Sequence, residues 1–147
     1  MTTPFFADSS YSIEIPDSVF FGIRNRTNDV IKLDFHVLKD DEYGNIYITV
    51  VPPKGMKQVV VQLLNESEKV LKEQMITKKE EVMFDYLMPA KYKLRAILDA
   101  DGNGKWSTGN YHWHKLPETV IDYKDPLEIK AGWDIDLEDV WNLNQNP

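Results

Sequence analysis

Two adjoining segments, Lys91-Tyr-Lys-Leu-Arg-Ala-Ile-Leu98 and Asp99-Ala-Asp-Gly-Asn-Gly-Lys-Trp106, decide the expected fold. In the first segment, apolar residues at the even positions alternate with mostly charged residues, which is the period of a β-strand with one buried face. The second segment is rich in aspartate and glycine, the residues that form tight turns. A strand that runs directly into such a turn is typical of an antiparallel sheet.

The same two-residue period recurs along the chain. It predicts further strands at residues 11–15, 31–37, 46–51, 57–64, 82–86, 111–115, 119–123, 127–130 and 133–137. Residues 57–64 are apolar at both parities, which predicts a central strand covered on both faces. Residues 66–80 are compatible with a helix, but the neighbouring hairpins favour a strand. Short strands at this spacing predict an all-β fold, specifically an antiparallel β-sandwich.

A charged run at residues 40–45 suggests a boundary between two groups of strands. Residues 1–43 hold two or three strands, which are too few for an independent domain. They are expected either to join the main sheet or to be the end of a truncated preceding domain. Residues 44–147 are expected to form the β-sandwich module.

Composition excludes several classes of function. The chain has 147 residues, a net charge of −7 and no cysteine. The negative charge argues against electrostatic binding to nucleic acid or to an anionic membrane, and the missing thiols exclude disulfides and cysteine nucleophiles. No apolar run is long enough to span a bilayer. Residues 1–7 lack the pattern of a signal peptide, and Met1 before a Thr-rich start is expected to be an added initiator on an excised fragment.

The acidic turn resembles the first half of a calcium-binding loop. Oxygen ligands at alternate positions and a glycine at the sixth position are typical of such loops. The second half is missing, because Ser107 and Asn110 occupy the ninth and twelfth positions. The alternative is a hairpin connection in which Asp and Asn side chains accept bonds from nearby backbone amides and Gly104 has positive φ. The weak calcium hypothesis uses the side chains of Asp99, Asp101 and Asn103 and the carbonyl of Lys105.

Two other clusters invite a binding hypothesis. His112 and His114 would share one face of a predicted strand, but a zinc site needs a third ligand and His36 is the only other histidine, so two surface histidines are the preferred interpretation. The C-terminal third is also rich in aromatic residues, which could stack on sugar rings if exposed or form core if buried. The candidate sugar platform consists of Trp106, Trp113 and Trp133.

Catalysis is not expected. Asp134, Asp136, Glu138 and Asp139 supply the carboxylates that a glycosidase would need, but an exposed strand face explains them equally well. No nucleophile elbow, Walker motif or H-E-x-x-H motif is present. Tyr92 has a structural interpretation, because Leu87-Met-Pro-Ala-Lys-Tyr92 resembles the tyrosine corner of β-sandwiches.

Several segments together resemble one bacterial family. Residues 87–92, 99–109 and 127–136 resemble the C-terminal module of Ig-like-domain surface lipoproteins of the Bacteroidetes. Residues 11–22 and 28–35 resemble the last strands of the Ig-like domain that precedes this module in that family. The chain departs from the family pattern at Ser107, where Asp is usual, and at Ala90, where Gly is usual.

The resemblance implies an Ig-like or transthyretin-like sandwich in an exported protein attached to the outer membrane or cell surface. It implies a non-catalytic structural or adhesive role, with a carbohydrate-binding module as the alternative. The expected partners are other domains of the same parent chain and a cell-surface protein or glycan, with no cofactor beyond weakly bound Ca²⁺.

Overall fold

The computed structural model of the protein describes residues 5–23 and 26–144. The chain divides into two compact units, Met1–Asp40 and Asp41–Pro147. Met1 and the three residues after it, on which part of the expectation about the N-terminus depends, lie outside the described residues. No helix in the described ranges combines the length and the apolar character needed to cross a membrane.

The first unit is built on a two-stranded antiparallel ribbon. Strands β1 (Ser9–Ile15) and β2 (Ile31–Val37) pair over seven positions without a bulge. Alternation puts the apolar residues of both strands on one face, where the rings of Tyr11 and Phe35 stack at 5.6 Å. The opposite face carries polar pairs such as Lys32 with Glu14. These strands therefore pair with each other.

The second unit contains two sheets. A short 3-10 helix (Asp40–Glu42) leads into β3 (Gly44–Val51), β4 (Gln58–Asn65), β5 (Val70–Ile76), β6 (Glu80–Leu87), β7 (Ala90–Asp99), β8 (Val120–Asp122), β9 (Leu127–Ile129) and β10 (Ile135–Asn142). The smaller sheet has the order β10-β3-β6. The larger sheet has the order β5-β4-β7-β8, with β9 also pairing with β7. All pairs are antiparallel except β10 with β3, which is parallel.

The hydrophobic core lies between these two sheets. Buried residues alternate along β3 and β7, and they belong to one cluster with buried residues of β4 and β6. Members of the cluster include Ile46, Ile48 and Val50 from the smaller sheet and Val59, Val61 and Leu63 from the larger one. The predicted all-β fold with antiparallel sheets packed face to face is therefore confirmed.

Two predictions about individual strands are also confirmed. Val60 and Leu64 are buried on the face of β4 that points away from the main core, so this central strand is covered on both faces. The ambiguous segment after residue 66 forms a strand, β5, which pairs with β4. A strand is preferred there because an antiparallel partner is only a short turn away.

One predicted strand does not form, and another begins later than predicted. Residues 111–115 form a turn closed by a bridge between Asn110 and Lys115, and the Asn110 side-chain oxygen accepts bonds from the backbone amides of His112 and Trp113. This local bonding replaces the strand. At the C-terminal end, β10 begins at Ile135 instead of 133. Trp133 therefore does not share the inward direction of Ile135 and Leu137.

The tyrosine corner connects the two sheets. Tyr92 is buried at the start of β7, and its hydroxyl donates a 2.8 Å hydrogen bond to the carbonyl of Met88. This is the contact that the sequence motif leads one to expect. Burial raises the pKa of Tyr92, which keeps the hydroxyl a donor.

Candidate functional site

The loop between β7 and β8, residues 100–119, lies over the outer face of the larger sheet. A Cβ atom at Gly104 would approach Met75 Sδ of β5 within 3.2 Å. The Trp106 indole nitrogen donates a 3.0 Å bond to the Glu118 carbonyl, which joins the acidic turn to the C-terminal end of the loop. The acidic turn is therefore attached to the sheet and is not a free hairpin tip.

Asp99, the last residue of β7, is the acceptor around which this loop folds. Its side chain is completely buried and accepts four hydrogen bonds. The backbone amides of Gly102 and Asn103 donate to Oδ1 at 2.6 and 3.2 Å. The Gly104 amide and Gln58 Nε2 donate to Oδ2 at 2.7 and 2.6 Å. Gly104 has φ of +76°, which lets its amide turn toward the carboxylate.

The hydrogen bonds keep Asp99 ionised. Burial by itself opposes ionisation, but the bonds from Gln58 and the three loop amides outweigh it and lower the pKa of Asp99 from 3.8 to about 2. The charge is therefore stabilised by dipoles of the loop and of the neighbouring strand.

A second buried carboxylate, Glu118, was not identified by the sequence reasoning. Its Oε1 accepts bonds from the amides of Ala100 and Asp101, at 3.0 and 3.4 Å, and its Oε2 accepts one from Ser107 at 2.9 Å. Glu118 lies at the far end of the loop, so no local motif marks it. The one feature of the sequence that could have pointed to Glu118 is its position just before β8.

Asp101 completes an acidic cluster at the surface. Its Oδ2 accepts from Lys115 Nζ at 2.8 Å and from Ser107 Oγ at 3.0 Å. The bond from Lys115 is the main cause of a lowered pKa of Asp101, and the same contact raises the pKa of Lys115. This pair joins the turn at residues 110–115 to the acidic turn.

One oxygen from each of Asp99, Asp101 and Glu118 lies within 4.8 Å of the others, so these three could hold a metal ion. Another ligand atom of the calcium hypothesis serves local structure, because Asn103 Oδ1 accepts a hydrogen bond from the backbone amide of Lys105 at 2.7 Å. The four donors to Asp99 already fill the roughly four lone-pair sites of a carboxylate. A cation would have to compete with these donors, so affinity is expected to be low.

The three tryptophans of the predicted platform are all exposed, but Trp106 and Trp133 lie far apart. Trp106 is 47% exposed beside the Asp99 end of β7. Trp133 is 65% exposed and follows β9, which pairs with the opposite end of β7. A ten-residue strand is about 30 Å long, so these two rings cannot contact one sugar unit. Trp113, 81% exposed, is on the turn at residues 110–115.

The aromatic residues of the C-terminal third differ in burial, and these three tryptophans are not part of the core. Trp141 is half-buried, packs against the core and contacts the ring of Tyr123 at 5.3 Å. Leu98 is also half-buried against the core, whereas Trp106 is at the surface.

The strand face that His112 and His114 were expected to share does not form. His112 and His114 lie in a turn instead of a strand, and His114 has a φ of +48°. His36 lies in the first unit, 3.0 Å from Ser10 Oγ. Asp134 Oδ1 accepts bonds from the backbone and side-chain amides of Asn45, at 3.0 and 2.7 Å, and so holds the start of β3.

The larger sheet presents two neighbouring rows on its outer face. Register places polar residues of β5, β4, β7 and β8 opposite one another in the first row, and apolar residues in the second. The polar row is Glu73, Gln62, Arg95 and Asp122. The apolar row is Met75, Val60, Ile97 and Val120. A shallow groove of about 390 Å³ lies between these rows and the loop that carries Trp106.

No known protein-family model matches this sequence, and neither curated proteins nor solved structures give a match to it. Function is therefore inferred from the residues of this chain.

Proposed function

We propose that this chain is a non-catalytic structural or adhesive β-sandwich module of an exported, envelope-attached bacterial protein. The observation that supports this most is that the buried carboxylates of the acidic loop are bonded to backbone amides of the same loop. The oxygens of Asp99 and Glu118 accept bonds from amides of the loop itself, which hold residues 100–107 against the sheet. The most chemically suggestive motif of the chain therefore has a structural explanation.

The C-terminal carboxylates support the same proposal. Asp134 bonds to Asn45 and thereby joins the segment before β10 to the start of β3. Asp136 is an exposed residue of β10, opposite Tyr47 of β3. Neither carboxylate needs a catalytic role to explain its position.

Hydrolysis assays test the non-catalytic part of the proposal. We expect no turnover of p-nitrophenyl esters, p-nitrophenyl glycosides or fluorogenic peptides by the purified chain. Asp134→Asn and Asp136→Asn are matched controls, since one removes a bonded and the other an exposed carboxylate. Hydrolysis that persists through purification and disappears in one variant would contradict the proposal.

The exported, envelope-attached part depends on the resemblance of residues 99–109 and 127–136 to surface lipoproteins. Other domains of the parent chain are the expected partners. Protease treatment of intact cells that express the native gene tests it, with an antibody against residues 44–147 as the probe. Complete protection in intact cells, with digestion after lysis, would contradict surface exposure.

Carbohydrate binding is the second candidate, and the exposure of the tryptophans favours it. Large apolar rings in water are costly unless a partner covers them, and indole rings stack well on sugars. Trp113 and Trp133 are 81% and 65% exposed. The expected signature is a change in tryptophan fluorescence on addition of a glycan.

A further inference from the structure

The groove beside Trp106 combines an aromatic ring with a row of planar polar groups. Along the polar row, Gln62 Nε2 donates to Glu73 Oε2 at 3.3 Å. Arg95 Nε donates to Asp122 Oδ1 at 2.7 Å. The row therefore spans all four strands with its side chains held in place, and it presents both donors and acceptors to the solvent.

The apolar row provides part of the floor of the groove. Ile97 of β7 is buried and forms part of the floor, and Val120 of β8 is partly exposed beside it. The rows are about 7 Å apart, since equivalent positions on one face of a strand are two residues apart. A ring-sized ligand can therefore contact both rows at once.

Trp106 forms the wall that faces these rows. Its indole nitrogen is bonded to the Glu118 carbonyl, so the ring orientation is fixed before any ligand arrives. The residue is about half exposed. A fixed, half-exposed aromatic ring reduces the ordering cost of binding.

We propose that this groove binds a neutral sugar unit of a glycan. A pyranose ring has an apolar face of C–H groups, which suits the indole of Trp106, and hydroxyls on its rim, which suit Gln62 and Glu73. A small number of convergent polar groups beside an apolar surface is typical of sites that bind small ligands. The inference depends on carbohydrate binding, the second candidate function.

The charges of the groove favour a neutral ligand. Glu73 and Lys105 line the groove with opposite charges, and the guanidinium of Arg95 is already paired with Asp122 and Glu68. A bound anion would approach Glu73 and would have to compete for Arg95. A neutral sugar accepts and donates hydrogen bonds without that competition.

The other exposed tryptophans lack comparable surroundings. Trp133 has the ammonium of Lys130 5.4 Å from its ring centroid. Trp113 belongs to the turn at residues 110–115, where its backbone amide donates a hydrogen bond to the side chain of Asn110. Neither residue lines the groove, so Trp113 and Trp133 provide matched controls with the same side chain at exposed sites.

The test is a titration of the ¹⁵N-labelled full chain with maltohexaose, cellohexaose, mannohexaose and xylohexaose at millimolar concentration. We expect at least one of them to shift the indole N–H signal of Trp106 and the side-chain amide signal of Gln62. Trp→Phe variants assign the indole signals. 3′-Sialyllactose, which is anionic, should leave both signals in place.

Variants decide the location of the site. Trp106→Ala and Gln62→Ala should each weaken the responding oligosaccharide at least about tenfold, whereas Trp113→Ala and Trp133→Ala should change its affinity less than twofold. Circular dichroism confirms folding, and Gln62→Ala serves if Trp106→Ala does not fold. Binding that survives both groove variants but is lost in Trp113→Ala or Trp133→Ala would overturn the groove and leave carbohydrate binding standing. If no oligosaccharide shifts any indole signal, both are overturned.

Discussion

Replacing Asp99 by Asn should destabilise the protein by about 2–4 kcal/mol at neutral pH. Asn offers only one acceptor oxygen. Its NH₂ group would face N–H groups that now donate hydrogen bonds to the carboxylate. At least two of the four bonds are therefore lost, and at the lower limit of about 1.5 kcal/mol for each bond to a charged group the loss is about 3 kcal/mol. A pKa lowered from 3.8 to about 2 corresponds to roughly 2 kcal/mol of stabilisation by ionisation.

The same reasoning predicts a pH dependence with a definite sign. Because the folded-state pKa of Asp99 lies below its unfolded value, its contribution is complete above about pH 4 and is lost as the pH falls toward 2. The free energy of unfolding of the unmodified protein should therefore fall by about 2 kcal/mol more than that of Asp99→Asn over this interval.

Urea unfolding at pH 7, 5, 4, 3 and 2.5, followed by far-ultraviolet circular dichroism, measures both effects. Asp136→Asn is the control, because it removes an exposed carboxylate of the same charge. Equal unfolding free energies of Asp99→Asn and the unmodified protein at pH 7, or parallel pH profiles below pH 4, would refute the assignment of Asp99 as the centre of the loop.

Four further outcomes are expected. Tyr92→Phe should cost about 1 kcal/mol in a urea melt, because the Met88 carbonyl loses the hydrogen bond from the buried Tyr92 side chain; an unchanged midpoint would remove the corner from the stabilising contacts. Gly104→Val should cost on the order of 1–3 kcal/mol, because φ is +76° and the new Cβ meets Met75 Sδ; an equally stable variant would mean that the loop rearranges freely. Millimolar Ca²⁺ should hardly raise the melting temperature, since a site with Kd near 1 mM adds only about 0.4 kcal/mol at 1 mM ion; a shift of several degrees at micromolar Ca²⁺ would instead indicate a real calcium site. A fragment of residues 41–147 should unfold cooperatively, because every buried member of the core cluster lies between Ile46 and Leu143; loss of its cooperative transition would show that residues 1–40 are needed for folding.

The sequence alone determined the features that depend on neighbours along the chain. Alternation along 92–98 predicts one buried and one exposed face, because successive side chains of a strand point in opposite directions. The positive φ of Gly104 and the bond from Tyr92 to Met88 are also local, since each involves residues within a few positions. The all-β class follows from these local patterns repeated at short spacing.

Tertiary structure decided the features that depend on distant segments. Alternation does not say which strand is the neighbour, so the parallel pairing of β10 with β3 could not be predicted. Glu118 reaches the amides of Ala100 and Ser107 only because the loop folds back over the sheet. The groove requires four strands in one register. The exposure of Trp113 follows from a turn that local bonding to Asn110 favours over a strand, a competition that a two-residue period cannot reveal.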